Sequence, residues 1–423
     1  MNQEKKIVKV FFWNSLASIL LALQSVAMLM VIMRIGQLED AGVFSFGFSN
    51  ANLFLHLGRF GMRNYQSSDV LEKYSFRLYQ KARIITIAVM IVGCSAFTLM
   101  SSILSGYTQY KFTMIMLLCV MKAIDAYEDV YHGNYQQHGH IDLAARLQTE
   151  RIVLSFVVFT IDVIVFRDIN QALVMSNLFS IAFLAYEIFY VKRKFEMPAI
   201  KKEDKGGTAK IILKECTPLF LIAFIAFLIS NFPKYAIDFC LADSDQAIFG
   251  FLFMPVFGIN VLANSIFQPF VSRLAILWNK KDYHAFSKAF RKQEITVVLL
   301  ILVCICGVAL LGIPFLRIIY NVNLEQYKSE LIILMIGGGF YAYTILYTLG
   351  ITIIRCQTLV RNMYLALVFF AGIIVFAFVK KMGIMGAALG YVLSMFMEAG
   401  IIMIIFYRKK NMMDNKGIEI TYN

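Results

Sequence analysis

Four ionisable side chains lie within one apolar stretch of the chain, VMKAIDAYEDVYHG. Lys122, Asp125 and Asp129 are three and seven residues apart, so a helix would carry them on one face, with Glu128 beside them. Ionisable groups inside a membrane are costly and mark functional sites by default, so this face is a candidate site. The alternative is an intrahelical Lys122–Asp125 ion pair that only holds helices together.

A second lysine, Lys234, lies in the apolar segment SNFPKYAID. Pro233 removes a helix hydrogen bond there and can break or kink the helix, which would expose backbone beside the polar side chains of Asn231 and Tyr235. The sequence therefore predicts a ligand site at Lys234. The alternative is a lysine that extends to the outer membrane interface, helped by Asp238 four residues on.

Further charges stand alone or at the ends of apolar stretches. Asp162, in TIDVIV, is either a counter-ion for Lys122 or a proton-titrating group, and the sequence leaves both open. Arg59 and Arg63, in HLGRFGMRNYQSSDV, would surround an inward-facing opening with positive charge together with Arg273. Guanidinium groups bind phosphate bidentately, so such a ring suits anionic head groups. For Arg273 we prefer an ordinary cytoplasmic positive charge.

The cysteines and histidines do not predict a metal site. All seven cysteines fall in or beside apolar stretches, where thiols act as small apolar groups. Cys304 and Cys306 would point to different faces of a helix, with no histidine pair nearby. His132, His138 and His140 lie in the polar sequence HGNYQQHGHID, which favours solvated loop residues. We therefore expect no metal and no other cofactor.

Membrane helices are the elements that must position these groups. Of the 423 residues, 59% are hydrophobic and 16% charged, whereas roughly a quarter of the residues in ordinary soluble domains are charged. A spanning helix needs roughly 20 mostly apolar residues, and helices satisfy their own backbone hydrogen bonds inside a bilayer. The first apolar stretch, from residue 7 to 33, is too long for a cleaved signal sequence, so we expect a retained helix.

The apolar stretches predict twelve spans, which cover residues 10–33, 41–60, 84–105, 112–132, 151–166, 170–190, 216–238, 247–272, 295–319, 330–353, 362–379 and 383–407. An even number of spans places both termini on one side. Most of the 40 lysine and arginine residues fall in alternate loops, which assigns those loops and both termini to the cytoplasm. Topology thus explains the net charge of +13, and nucleic-acid binding is not expected.

The longest polar stretch, residues 192–214, lies near the middle of the chain and predicts two six-helix bundles. We expect an N-terminal bundle over residues 1–195, a cytoplasmic linker over 196–214 and a C-terminal bundle over 215–423. The outer loops are short and no GxxxxGK[ST] phosphate loop occurs, so the sequence favours a transporter over an ATPase or another enzyme.

An internal repeat supports the two halves. The sequence DAGVFSFGF, which begins at Asp40, opens the second predicted span, and DQAIFGFLF, which begins at Asp245, opens the eighth. Both segments enter the membrane from the outer side, so the repeat is parallel. Transporters built from such repeats bind their substrate near the bilayer midplane, where the halves meet.

The chain resembles the polysaccharide flippases of the multidrug/oligosaccharidyl-lipid/polysaccharide (MOP) exporter superfamily. The similarity covers essentially the whole chain and includes GRFGMRNYQSSDV after span two, DVYHGNYQQHGHID after span four, NFPKYAID in span seven and GIMGAALGYVLS in span twelve. The resemblance implies an all-α integral membrane protein of about twelve helices. Its two six-helix bundles would form a V around a cation-lined cavity that opens alternately inward and outward.

The resemblance also implies a substrate and partners. Proteins of this family move undecaprenyl-diphosphate-linked oligosaccharide units across the bacterial inner membrane for surface polysaccharide biosynthesis. The expected partners are this substrate, the lipid bilayer and other polysaccharide assembly proteins. The predicted substrate-binding residues are Lys234, Arg59, Arg63, Asn14, Asn231, Asn264 and Lys122, and the candidates for coupling to H⁺ or Na⁺ are Asp125 and Asp162.

Two other functions remain open at this stage. A cation-coupled multidrug antiporter of the same fold would favour a negatively charged cavity, for which Asp125, Glu128 and Asp162 are available. A membrane polysaccharide polymerase or ligase would need catalytic residues on a sizeable outer loop, and the short outer loops disfavour it.

Overall fold

The computed structural model describes residues 3–69, 72–194 and 208–421, which form helices with no β-strand among them. The helices are α1 (Gln3–Ile35), α2 (Leu38–Arg59), α3 (Met62–Ser68), α4 (Phe76–Ser105), α5 (Gln109–Gln137), α6 (Ile141–Phe166), α7 (Ile169–Lys194), α8 (Ala209–Cys240), α9 (Asp243–Asn279), α10 (Tyr283–Tyr320), α11 (Lys328–Ile353) and α12 (Gln357–Thr421), with a 3₁₀ turn at Glu325–Tyr327.

The last helix consists of two membrane helices joined at Gly383, whose φ of 59° and ψ of −133° leave the helical region. Glycine suits this position because it has no Cβ to oppose a positive φ. The chain then folds back so closely that a Cβ on Gly386 would lie 2.0 Å from the carbonyl oxygen of Phe378. With α12 counted as two, the described chain holds twelve helices long enough to span a bilayer, which confirms the predicted number.

Eight of the described helices have both the length and the apolar composition of a membrane span. This number counts α12, which contains two membrane helices, as one. The membrane-length helices outside this set are α2, α5 and α6. These three carry many of the buried polar and charged side chains of the N-terminal unit, such as Asn50, Lys122 and Arg151. Their polarity therefore reflects burial inside the protein, which is where ionisable groups in membrane proteins are tolerated.

Several helices begin before the predicted apolar span. The structure starts α4 at Phe76, α6 at Ile141 and α10 at Tyr283, whereas the apolar stretches begin at residues 84, 151 and 295. These helix starts all adjoin the loops rich in lysine and arginine. A hydropathy profile detects only the part of a helix that lies in lipid. It therefore does not detect helical turns that continue through polar residues.

The chain divides into two compact units, residues 1–224 and 225–423. The division lies inside α8, whereas the sequence placed the start of the C-terminal bundle at residue 215. Most of the predicted linker lies outside the described residues, and its last part, from Ala209, already belongs to α8. The first half of α8 belongs to the N-terminal unit because Ile212 and Cys216 pack in an apolar cluster with Tyr79 of α4 and Val130 of α5.

One aromatic contact and one hydrogen bond also join the first half of α8 to the N-terminal unit. The ring of Phe220 on α8 stacks on Phe60 with 4.4 Å between the centroids. The hydroxyl of Tyr65 on α3 donates a hydrogen bond to the Glu215 carboxylate, and burial together with this bond raises the pKa of Tyr65. A single sequence gives no sign of such long-range contacts, so the polar stretch could not indicate that the first half of α8 packs with the N-terminal unit.

The internal repeat builds the same local structure in both units. Asp40 and Asp245 each accept a hydrogen bond from the backbone nitrogen three residues earlier, at 2.8 and 3.3 Å, and so cap the starts of α2 and α9. Each helix then carries two phenylalanines one turn apart whose rings touch. The ring pairs are Phe44–Phe48, at 5.7 Å, and Phe249–Phe253, at 5.6 Å.

In the C-terminal unit, α11 and α12 approach each other closely at a glycine. A Cβ on Gly337 of α11 would lie 2.5 Å from the ring of Tyr391 on α12. Small residues at helix interfaces allow such close packing in membrane proteins. Gly337 therefore fixes the distance between these two helices.

We expect Gly337→Val to lower the stability of the purified protein by about 1–3 kcal/mol, because the larger side chain forces the helices apart. The measurement is the midpoint of thermal unfolding in detergent. Gly307→Ala on α10 is the matched control, since its Cβ would enter open space. Equal midpoints for the two variants would contradict the close packing.

Candidate functional site

A buried charge network connects α5 to α6 and α1 in the N-terminal unit. Arg151 donates from Nε and Nη2 to the two carboxylate oxygens of Glu128, at 2.6 and 2.8 Å. Its Nη2 also donates to Oδ1 of Asp125 at 2.6 Å. The ammonium of Lys122 donates to Oδ2 of Asp125 and to Gln24, both at 3.0 Å. Two cations thus face two carboxylates, and this part of the network is electrically neutral.

The intrahelical Lys122–Asp125 pair that the sequence left as an alternative is therefore present. Asp162, the other proposed partner of Lys122, is also buried on α6, and its Oδ1 has no hydrogen-bond partner within the described ranges. The sequence missed Arg151, because the predicted span only began there. Three acids on one face of α5 were the signal that cations must face them from another helix.

The placement of His132 corrects the sequence analysis. The sequence favoured a solvated loop, but α5 continues to Gln137 and the His132 side chain is only 1% exposed. Its Nε2 lies 3.2 Å from Oε1 of Glu187 on α7 and 3.9 Å from Oε1 of Glu128. The ligand atoms of these three residues lie within 4.8 Å of one another, a spacing that a metal ion could use. Glu128 is already held by Arg151, so the expected absence of a metal stays a prediction.

A second cluster of charged side chains surrounds Asp129 in the same unit. Arg83 on α4 is fully buried and donates to Asp129 at 2.8 Å and to the carbonyl of Gly58 at 2.6 Å. Arg63 and Arg59 approach the same carboxylate at 3.5 and 3.9 Å, with side chains 28% and 30% exposed. Three guanidinium groups thus share one carboxylate. The surplus positive charge lies on the two partly exposed arginines, where an anion can reach it.

Lys234 lies inside the C-terminal unit. The residue is 5% exposed, and its ammonium lies 5.3 and 5.7 Å from the ring centroids of Phe253 and Phe257 on α9. A lysine that extends to the outer membrane interface would have an exposed ammonium. The buried position of Lys234 does not match that alternative. The helix α8 continues through Pro233 to Cys240 without a break.

The other residues that the sequence suggested for the substrate site lie in different surroundings. Asn231 is 3% exposed, and its amide donates to the carbonyl of Phe227 at 2.9 Å and to Ser230 at 3.1 Å. Its Oδ1 has no partner within the described ranges. The side chain of Asn14 is exposed on α1, and Arg273 is exposed on α9. The side chain of Asn264 lies outside the described residues.

The internal repeat places a lysine over the corresponding aromatic ring in each unit. The ammonium of Lys122 lies 4.5 Å from the centroid of Phe48, and that of Lys234 lies 5.3 Å from Phe253. Attraction between a cation and an aromatic face contributes about 2 kcal/mol when both are desolvated. In the N-terminal unit a carboxylate, Asp125, also holds the ammonium.

Two buried acids escaped the sequence analysis although they lie within predicted spans. Glu187 on α7 and Glu398 on α12 are both 0% exposed. Oε1 of Glu398 accepts a hydrogen bond from Tyr364 at 2.6 Å. Each is a lone acid within an apolar sequence, which is the same signal that singled out Asp162.

Comparison with known proteins finds one relative by sequence and several by fold. No protein-family model matches the chain. The capsular polysaccharide biosynthesis protein CapF of Staphylococcus aureus is 27% identical over 404 residues, which are 92% of this chain and 96% of that protein. The whole lengths of the two proteins therefore correspond.

Solved structures show the fold. An inward-facing multidrug resistance MATE family transporter of the MOP superfamily has a TM-score of 0.68 and 14% identity over 93% of this chain and 94% of its own. A MOP superfamily transporter from Pyrococcus furiosus, described as having a binding pocket of reversed polarity, has a TM-score of 0.62 and 12% identity over 96% and 95%. The chain is therefore a multi-pass membrane protein with the fold of the MOP superfamily transporters, as the resemblance predicted.

We expect Arg151→Ala to destabilise the protein by about 3–5 kcal/mol, because it leaves Asp125 and Glu128 buried with too little positive charge. The measurement is the amount of folded protein in membranes together with its unfolding midpoint. Arg146→Ala, on the same helix, is the control. Its side chain is 51% exposed in an ion pair with Glu150, so the loss should stay at about 0–1 kcal/mol. Equal losses would show that the network is not structural.

Proposed function

We propose that this transporter is a flippase for undecaprenyl-diphosphate-linked oligosaccharide repeat units. It moves them by alternating access from the inner to the outer leaflet of a bacterial cytoplasmic membrane, for surface polysaccharide biosynthesis. Both termini lie in the cytoplasm, as the distribution of lysine and arginine indicates. The lipid tail of such a substrate can remain in the bilayer, so the protein has to shelter only the polar head.

The observation that carries the proposal is the buried ammonium of Lys234. A buried ammonium attracts an anion strongly, because the dielectric constant around it is low. Phosphate oxygens bind ammonium groups through short, charge-assisted hydrogen bonds. Asn231, on the same helix, has a carbonyl oxygen without a partner within the described part of the chain, and this oxygen can accept a sugar hydroxyl.

The arginines around Asp129 support the same substrate. Arg59 and Arg63 are partly exposed and exceed the charge of the carboxylate that they share with Arg83. Arg59 ends α2 and Arg63 lies near the start of α3, on the side that the charge distribution assigns to the cytoplasm. Under the proposal the head group enters from that side, so these arginines suit the first contact with the diphosphate.

The curated relative favours this substrate over other lipids. CapF is named for capsular polysaccharide biosynthesis, and the two chains correspond over nearly their whole lengths. Under the proposal, other polysaccharide assembly proteins supply the substrate and consume the product. The proposal includes no cofactor, and the energy for transport comes either from coupling to H⁺ or Na⁺ or from consumption of the product.

A cation-coupled multidrug antiporter is the second candidate, and one feature favours it. A cavity of about 410 Å³ in the C-terminal unit is lined by aromatic side chains and one acid, Glu294. The hydroxyls of Tyr347 and Tyr407 donate to this carboxylate at 2.5 and 2.6 Å. Aromatic rings around an acid suit a lipophilic cation. Ethidium efflux from vesicles that lack lipid-linked sugar would favour this function.

We expect Lys234→Ala to reduce transport about tenfold or more, which corresponds to the loss of one charge-assisted hydrogen bond. The measurement is mass spectrometry of lipid-linked intermediates in cells whose only copy of the gene carries the variant. The complete repeat unit should accumulate in the inner leaflet while the amount of membrane-inserted protein stays normal. Lys234→Arg should retain much of the activity, because it keeps the charge.

Lys328→Ala is the matched control, since Lys328 is an exposed lysine at the start of α11 in the same unit. It should leave both the intermediates and the surface polysaccharide unchanged. Normal export of polysaccharide by Lys234→Ala would remove Lys234 from the substrate site and, with it, the main support for the flippase.

A further inference from the structure

The C-terminal unit contains a fully buried acid, Glu398, that forms no ion pair among the described residues. Glu398 on α12 is 0% exposed, and the hydroxyl of Tyr364 donates to its Oε1 at 2.6 Å. Its second oxygen, Oε2, has no hydrogen-bond partner among the described residues. Within the same residues, no lysine, arginine or histidine lies within the 4.0 Å of an ion pair with Glu398.

The groups that face Glu398 are uncharged at neutral pH. Among the described residues, the titratable groups in electrostatic contact with its carboxyl are the phenols of Tyr364 and Tyr391 on α12 and of Tyr341 on α11. On α9, the ring of Phe253 meets that of Tyr391 edge to face at 5.0 Å. A negative charge at Glu398 would thus be held by one hydroxyl in an apolar setting.

The three acids of α5 in the N-terminal unit are different. Asp125, Glu128 and Asp129 each accept hydrogen bonds from at least one arginine or lysine. Such partners stabilise the charged form of a carboxylate. An acid that is buried without a cation is more stable in the neutral form, and it gains or loses a proton when its surroundings change.

We propose that Glu398 is a proton-binding site of this transporter, and that the rings of Tyr391 and Phe253 connect it to Lys234. The step is a simple protonation. The carboxylate takes a proton from water on one side of the membrane, becomes a neutral carboxylic acid, and releases the proton on the other side. Only Oε2 is available for this, since Oε1 is held by Tyr364.

The connection to Lys234 gives this proton a role in transport. The ammonium of Lys234 lies over the face of Phe253, whose ring packs against Tyr391 beside Glu398. An anion bound at Lys234 and a negative charge at Glu398 repel each other in a setting of low dielectric constant. Binding of an anionic head group therefore favours protonation of Glu398. This role rests on the proposed function, whereas the proton site itself does not.

Infrared difference spectroscopy of the purified protein tests the proton site directly. On acidification, the wild type should show the carbonyl stretch of a protonated carboxylic acid that Glu398→Gln lacks. A wild-type spectrum identical to that of Glu398→Gln at all pH values would overturn the proposal. No transported substrate is needed, so this result stands even if the flippase assignment fails.

A second variant keeps the test decisive if Glu398→Gln folds poorly. Tyr364→Phe removes the hydroxyl that stabilises the charged carboxylate, so the midpoint of the Glu398 band should move to higher pH by about one unit. Tyr341→Phe is the control, because Tyr341 faces Glu398 without a hydrogen bond to it among those described. An unchanged midpoint in Tyr364→Phe would contradict the site.

The transport arm uses the same variants in vesicles. Under the proposal, the rate of head-group translocation in the wild type depends on an imposed pH gradient, and Glu398→Gln abolishes that dependence. A pH-dependent rate that persists in Glu398→Gln would overturn the coupling. Absence of translocation in every protein, with the infrared band intact, would refute the flippase and leave the proton site standing.

Discussion

A charge buried among membrane helices must be neutralised, and this requirement shapes the whole protein. The N-terminal unit meets it with partners that are fixed in the fold. Arg151 holds Asp125 and Glu128, and Arg83 holds Asp129, each through hydrogen bonds of 2.8 Å or less. These bonds join α4, α5 and α6, so the same contacts that neutralise the charges also position the helices.

The C-terminal unit meets the requirement differently. Lys234 on α8 packs over aromatic rings, and Glu398 on α12 accepts a hydrogen bond from a tyrosine. In each unit a lysine from another helix lies over the second phenylalanine of the repeat that begins α2 and α9, and in the N-terminal unit Asp125 pairs with that lysine. We infer that the charge network of α5 stabilises the first unit, while Lys234 and Glu398 of the second bind an anion and a proton.

The sequence predicted the twelve helices because the length of an apolar stretch is a local property that the bilayer thickness fixes. It also singled out Lys122, Asp125 and Asp129 as one helical face. Their partners were out of reach, because Arg83 and Arg151 come from other helices and no local pattern pairs them. The same limit explains His132, which the sequence treated as a loop residue and which the structure buries against Glu187.

The most direct test of this account compares two lipids in vesicles that contain only the purified protein. One is an undecaprenyl-diphosphate-linked oligosaccharide, and the other carries the same sugar on a linkage without charge. If the buried cation of the C-terminal unit recognises the diphosphate, the charged lipid crosses the bilayer and the uncharged one does not. Equal rates for the two lipids would contradict the account.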